Sequence, residues 1–236
     1  RAIRDSGVPR KEVFVATKLS FDQSFGAGAR LALEKQLKAL GLDYVDLYML
    51  HGLRTSVRET WALLEQARAE GLVRSLGVSN ALPGDLDAMG AYAKVPPAVV
   101  QNKHSVYRPG SSLNYAGEDI VEGLRARGAV LTGYCVINAW PGVARPAADA
   151  HVARIAQRVG RTPEQVLLRW ALQGGHTALT RSTNEERATA NADVFSWGLD
   201  AQDMAVLDSL HWLAHGRWSR ISTERLEAMG GLRDEL

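Results

Sequence analysis

The chain has 236 residues, 46% hydrophobic and 23% charged, ordinary values for a globular protein and not those of a disordered one. Its length is close to the ~250 residues of a TIM barrel, enough for one core and one domain spanning the whole chain. The net charge of +2 comes without a Lys/Arg run, which argues against a nucleic-acid partner, and no apolar stretch reaches the ~18 residues of a membrane span. The single cysteine, Cys135, leaves no intrachain disulfide, as expected of a cytoplasmic protein, and because residue 1 is Arg1 and not Met, a segment is expected to precede it.

In chain order, residues 1–7 read as the end of a helix and 13–19 (VFVATKL) as a strand. A helix over 28–40 stops at Gly41, and a strand follows at 45–50 (VDLYML). A helix over 57–69 has Ser56 as candidate cap and Gly71 after it, then comes a strand at 73–78 (VRSLGV). Residues 84–93 read as helix, 98–103 (AVVQNK) as strand, 119–126 as helix and 129–134 (AVLTGY) as strand. Two helices over 147–159 and 163–172 follow, the second opened by Thr162-Pro163. A short strand at 177–180 and helices over 184–191 and 201–210 complete the pattern, the last with Asp200 as its cap. The tail from 211 to 236 reads as a loop over one face, with a short helix. Strands alternating with helices predict βαβ units, and continuous apolar strands predict a parallel sheet covered on both faces. Six strands are readable where a closed (β/α)8 barrel needs eight, so the expected fold is α/β, an incomplete TIM barrel.

In parallel barrels the chemistry sits at the C-terminal strand ends. Here those ends carry Lys18, His51, Ser79 and Asn80, Gln101, Tyr134, and Arg181 with Ser182, which predicts one shared pocket. Lys18 is either a surface lysine or a charge that lowers the pKa of a neighbouring phenol. His51 is either a satisfied core histidine or a neutral donor to a carbonyl oxygen. Ser79, Asn80 and Gln101 suit a carboxamide partner or a strand-end cap. Tyr134 is either plain core or a flat floor for an aromatic ring. The stretch RSTNEER at 181–187 places hydroxyls, a cap and two guanidinium groups at a helix start, as an anion site would, although Arg187 alone also fits a solvated helix. His104 is a candidate for lining a substrate pocket. The histidines and Cys135 show no metal-ligand spacing; His211 and His215 are four apart without a third ligand.

Taken in order, VPRKEVFVATKL, LGLDYVDLYMLHG, GLVRSLGVSN, PPAVVQN, TPEQVLLRWALQ and RSTNEER resemble the aldo-keto reductase family from Val8 to about Leu210. The resemblance implies a (β/α)8 barrel that binds NADPH without a Rossmann domain and reduces a small aldehyde or ketone. It implies that Lys18 and His51 are catalytic. Ser79, Asn80 and Gln101 would contact the nicotinamide carboxamide, and Tyr134 would stack on the nicotinamide. Arg181 and Ser182 would hold the 2′-phosphate, and Arg187 and Asn191 would lie near the adenine. Gly52 stands where the family commonly has tryptophan, and Ala190 where a glutamate often contacts adenine. The family's catalytic aspartate and proton-donating tyrosine lie about one βα unit before the lysine, so both would precede Arg1. The chain alone is therefore expected to be inactive. Two alternatives remain: a non-catalytic nucleotide-binding subunit on the same barrel, and an unrelated barrel enzyme using Lys18 as a Schiff base. Substrate choice is expected to rest on the loop at 134–143, with Trp140, and on the tail.

Overall fold

The computed structural model describes residues 1–20, 26–53, 56–111, 121–137 and 146–214. Trp140, His215, most of the 134–143 loop, the start of the helix expected at 119 and the tail beyond 214 lie outside the described residues. The chain forms two compact units, residues 1–101 with 123–130 and residues 102–122 with 131–236, and passes from one to the other within a strand.

The first unit begins with α1 (Ala2–Ser6), which Gly7 ends in the left-handed conformation. Then β1 (Ala16–Leu19), α2 (Gly28–Leu40), β2 (Val45–Leu50), α3 (Val57–Ala69), β3 (Val73–Ser79), α4 (Pro83–Gly90) and the start of β4 (Val99–Ser105) alternate as expected. β1 starts later than predicted because residues 10–12 form a 3-10 turn, although Val15 already accepts hydrogen bonds from the N–H groups of Asp46 and Leu47. Ser56 does not cap α3 through its side chain; its carbonyl accepts from the Thr60 N–H and hydroxyl at 3.0 and 2.8 Å. α4 ends at Gly90, short of the expected 93.

The parallel register decides which side chains share a face. Lys18 pairs with Met49, Met49 with Gly77 and Gly77 with Val99; one residue further on, Leu19, Leu50, Val78 and Val100 form the next row. Alternation puts successive rows on opposite faces. The Thr17 row faces the helices, where the Thr17 hydroxyl meets Gln36 of α2. Leu33 and Leu37 of α2 and Trp61 and Leu64 of α3 are buried with that side of the sheet. The Lys18 row faces the other way. There Gly77 has no room for a side chain: a Cβ would sit 2.7 Å from the Val99 carbonyl and 2.9 Å from Met49 Cγ.

In the second unit the rest of β4 pairs antiparallel with β5 (Arg108–Ser111), a strand the sequence reading did not contain. α5 (Val121–Ala126) leads back to the first unit, and β6 (Val130–Tyr134) pairs parallel with β7 (Thr177–Ala178). α6 (Ala150–Val159), α7 (Pro163–Gln173), α8 (Glu185–Ala192) and α9 (Ala201–Ala214) complete the unit. The expected caps are present: Thr162 accepts from the Gln165 N–H at 3.2 Å and Asp200 from the Asp203 N–H at 2.8 Å. Asp149 caps α6 and also accepts from the Tyr107 hydroxyl at 2.5 Å. Val152, Leu167, Ala171 and Leu207 pack into one fully buried cluster.

His104, expected as a pocket-lining residue, belongs to this core. It is 1% exposed, stacks on Trp170 at 4.6 Å and meets the His176 ring edge-on at 4.9 Å. Its Nδ1 accepts from the Gly110 N–H, so the proton of the neutral ring sits on Nε2, which has no partner. Gly133 makes this packing possible, since a Cβ there would lie 2.8 Å from His104 Cβ. Burial, reinforced by the His176 charge, lowers the His104 pKa to about 3. Between that value and the ordinary 6.5 the unfolded chain binds a proton that the folded chain refuses, so stability falls as pH drops through the window. Urea unfolding should show a loss of about 2 kcal/mol from this group between pH 6.5 and 5. His104→Leu should be less stable at pH 7 but have a shallower slope. An unchanged slope would mean that His104 is not the group responsible.

Candidate functional site

The first unit gathers Lys18, His51, Ser79, Asn80 and Gln101 at the C-terminal ends of β1 to β4. The His51 N–H bonds the Leu19 carbonyl at 3.1 Å, which puts His51 one row beyond Leu19. It therefore returns to the face of Lys18, as do Ser79 and Gln101, which pair directly. Lys18 is half-buried, and burial lowers its pKa. The His51 pKa is lowered first by burial and then by the positive charge of Lys18. The imidazole is thus neutral at pH 7, the form able to donate to a carbonyl oxygen.

Asn80 holds this corner together. Its backbone is left-handed, at φ 58°, a conformation asparagine tolerates better than most residues. That turn sends its Nδ2 to the His51 carbonyl at 3.0 Å and to Ser79 Oγ at 3.2 Å, while its N–H bonds the Gln101 carbonyl. The Ser79 hydroxyl also donates to the Gln101 carbonyl, at 2.8 Å, so its proton is spent inside the protein. By contrast the Gln101 carboxamide is 5% exposed and carries no hydrogen bond among the described residues. Among the described residues, then, this amide keeps its donor and acceptor available to a ligand.

The second unit carries the remaining candidates. Tyr134 ends β6, and burial pushes its phenol up to about 12, so it is a neutral surface and not an acid at ordinary pH. Around the start of α8 lies a pocket of about 330 Å³ lined by Thr180, Arg181, Ser182, Arg187 and Asn191, among others. Asn184 caps α8 by accepting the Arg187 N–H at 2.8 Å, and Ser182 Oγ fastens the turn by accepting the Asn184 N–H at 3.1 Å. Neither Arg181 nor Arg187 has a carboxylate partner among the described residues. Two unneutralised guanidinium groups and several hydroxyls in one cavity at a helix start fit a phosphate-bearing ligand. Asn191 donates through Nδ2 to Thr180 Oγ1 at 3.0 Å.

One lining residue was missed in the sequence. Glu164 reads there only as an acidic residue in the first turn of a helix. It reaches the pocket because Gln165 Nε2 bonds the carbonyls of Ala190 and Asp193 at 3.0 and 3.1 Å, drawing the start of α7 to the end of α8. No sequence signal encodes that meeting. Among the described residues no group of His, Cys, Asp and Glu could hold a metal ion, and no helix is long and apolar enough to cross a membrane.

Comparison with known proteins gives one answer. Residues 1–211 match the aldo/keto reductase family. An aldo-keto reductase of Mycolicibacterium vanbaalenii is 39% identical over 214 residues, 89% of this chain and 72% of that protein. Morphine 6-dehydrogenase of Pseudomonas putida is 36% identical over 221 residues, 88% of this chain and 72% of that protein. Among solved structures, an aldo-keto reductase from a Medee basin deep-sea metagenome library is 29% identical with a TM-score of 0.81, covering 89% of this chain and 75% of that one. A Bombyx mori aldo-keto reductase in complex with NADP is 26% identical with a TM-score of 0.77, covering 88% and 71%. The α/β fold of parallel strands and helices, and the order of the polar strand ends, therefore have one explanation: the chain belongs to the aldo/keto reductase family.

Proposed function

We propose that the protein takes part in NADPH-dependent reduction of a small aldehyde or ketone to an alcohol, with all 236 residues belonging to one reductase domain. The observation that carries this reading is the pocket at the start of α8, where the Arg181 guanidinium stands with the Ser182 hydroxyl and has no carboxylate partner among the described residues. This donor set fits the 2′-phosphate that distinguishes NADPH from NADH. When bound, NADPH supplies a hydride from C4 of its nicotinamide.

The residues of the chain divide the other tasks. The carboxamide of Gln101, with Ser79 and Asn80, binds the nicotinamide amide, and Tyr134 stacks on the ring. Arg187 and Asn191 hold the adenine end. His51, neutral because burial and Lys18 depress its pKa, donates a hydrogen bond to the substrate carbonyl oxygen. Lys18 stabilises the negative charge of a phenol and so tunes the proton donor. By the resemblance, the family's proton donor and its carboxylate partner precede the lysine by about one βα unit, and general acid catalysis is worth about 10²–10⁴ in rate. The chain alone is accordingly proposed to bind the nucleotide without turning it over.

Fluorescence titration of the chain with NADPH and with NADH tests both parts. The expected result is a clear preference for NADPH, with no NADPH oxidation on adding an aldehyde. A preference for NADH would mean that Arg181 has been misassigned, and steady turnover would mean that a proton donor within the chain has been overlooked.

A further inference from the structure

The register of β2 with β3 ends at Leu50 and Val78, and a side chain carries on from there. One residue further on, Ser79 pairs with Gln101 of β4, and the backbone N–H of Asn80 bonds the Gln101 carbonyl at 3.0 Å. That N–H is therefore not available to β2. The carbonyl of His51 is met by the side chain of Asn80, whose Nδ2 donates to it at 3.0 Å.

The neighbours decide which end of the amide points there. The His51 carbonyl only accepts, and the Ser79 hydroxyl already donates its proton to the Gln101 carbonyl at 2.8 Å. Both therefore require the NH2 end of Asn80, which also reaches Ser79 Oγ at 3.2 Å. The position further demands a residue that accepts a φ of 58°. Glycine and aspartate tolerate that conformation too, but glycine has no side chain and an ionised aspartate has no donor. Asparagine meets both demands.

The consequence falls on His51. Its N–H bonds the Leu19 carbonyl at 3.1 Å and its carbonyl takes the Asn80 amide, so its backbone is held on both sides, by β1 and by β3. A fixed backbone fixes the direction of the Cα–Cβ bond, and this keeps the imidazole on the face of Lys18.

We propose that Asn80 is a positioning residue for His51, its side-chain amide holding the backbone from which the imidazole reaches the substrate carbonyl. This rests on the reading of His51 given above and needs no contact between Asn80 and the nucleotide.

The test is NMR of the full 236-residue chain, following the His51 ring through a pH titration in the unaltered chain and in Asn80→Gly. The glycine keeps the left-handed turn and removes only the amide. In the unaltered chain His51 should titrate below the ordinary 6.5, because it is partly buried beside Lys18. In Asn80→Gly the released ring should titrate closer to 6.5. Its N–H should exchange with solvent about fivefold faster, the worth of one net hydrogen bond. The buried His104 ring should give the same signals in both, which shows that the variant is folded. An unchanged His51 titration in folded Asn80→Gly would overturn the proposal whatever the exchange rate, since a loosened backbone alone is only a structural effect. If the variant does not fold, the unaltered chain decides. A scalar coupling across the hydrogen bond from the Asn80 amide to the His51 carbonyl would support the proposal, and its absence would overturn it. His51 titrating at or above 6.5 in the unaltered chain would instead overturn the reading of His51 as a neutral donor.

Discussion

Replacing Arg181 by alanine should weaken NADPH binding by about 10- to 100-fold and leave NADH binding nearly unchanged, because a hydrogen bond to a charged group is worth about 1.5–3 kcal/mol. The effect falls on one nucleotide only because the phosphate is what the two lack in common. Arg181 has no internal carboxylate to share its charge, so nothing within the described residues competes with the ligand for it. Being exposed, it also leaves no unpaired buried group behind when removed, and the fold should not suffer. Arg187→Ala should behave differently. Assigned to the adenine end, it should weaken NADPH and NADH alike. Arg181→Lys should keep part of the discrimination, since an ammonium retains the charge but loses the bidentate fork. Equal losses of both nucleotides in Arg181→Ala would show that this arginine holds something other than the phosphate. Titration calorimetry of the two nucleotides against each variant measures all of this directly.

The strands and most helices were legible because their signals are local. Residues 28–40 and 45–50 fell within the predicted bounds, the first fixed by an amphipathic repeat and Gly41, the second by a run of buried apolar residues. β5 was not legible. It carries Pro109 and Gly110, which read as a turn, and it exists only through its pairing with β4. The candidate residues at strand ends were legible because a strand's end is visible in sequence and parallel strands bring such ends to a common level. Which face each side chain takes was not legible. That depends on register, and the register shows Lys18, His51, Ser79 and Gln101 sharing one face. His104 illustrates the failure in the other direction: a polar residue near a strand end was expected in a pocket, but Gly133 leaves space that its ring fills in the core. Glu164 was invisible for a third reason, since its place depends on a side-chain amide on one helix reaching the backbone of another.

The largest stability effect is expected at the opposite ends of the strands, where the chain buries a charge. Asp46, 4% exposed, accepts the Val15 N–H at 2.9 Å, pairs with Arg10 at 2.9 Å and with Arg74 at 3.1 Å. The Tyr44 ring lies between the two guanidinium groups, at 4.1 Å from Arg10 and 4.2 Å from Arg74. Arg10 also donates to the carbonyls of Val13 and Tyr44, at 2.5 and 3.0 Å. One carboxylate thus ties the segment before β1 to β2 and β3. Burial works to raise the Asp46 pKa, but the Val15 N–H and the two arginines outweigh it, so the net shift is downward. The stability it contributes is present above the ordinary carboxyl pKa of 3.8 and is lost as pH falls through the lower folded value. Asp46→Ala removes the acceptor and leaves the mostly buried Arg10 uncompensated, a change that typically costs about 3–5 kcal/mol. Arg74 is 53% exposed in its side chain, and Arg74→Ala should cost no more than about 1 kcal/mol. Urea unfolding of the two variants beside the unaltered chain separates these cases. If Asp46→Ala were no more damaging than Arg74→Ala, the cluster would be a surface network, and the anchoring of β1 would have to be sought in the apolar contacts of Leu19 and Val15 instead.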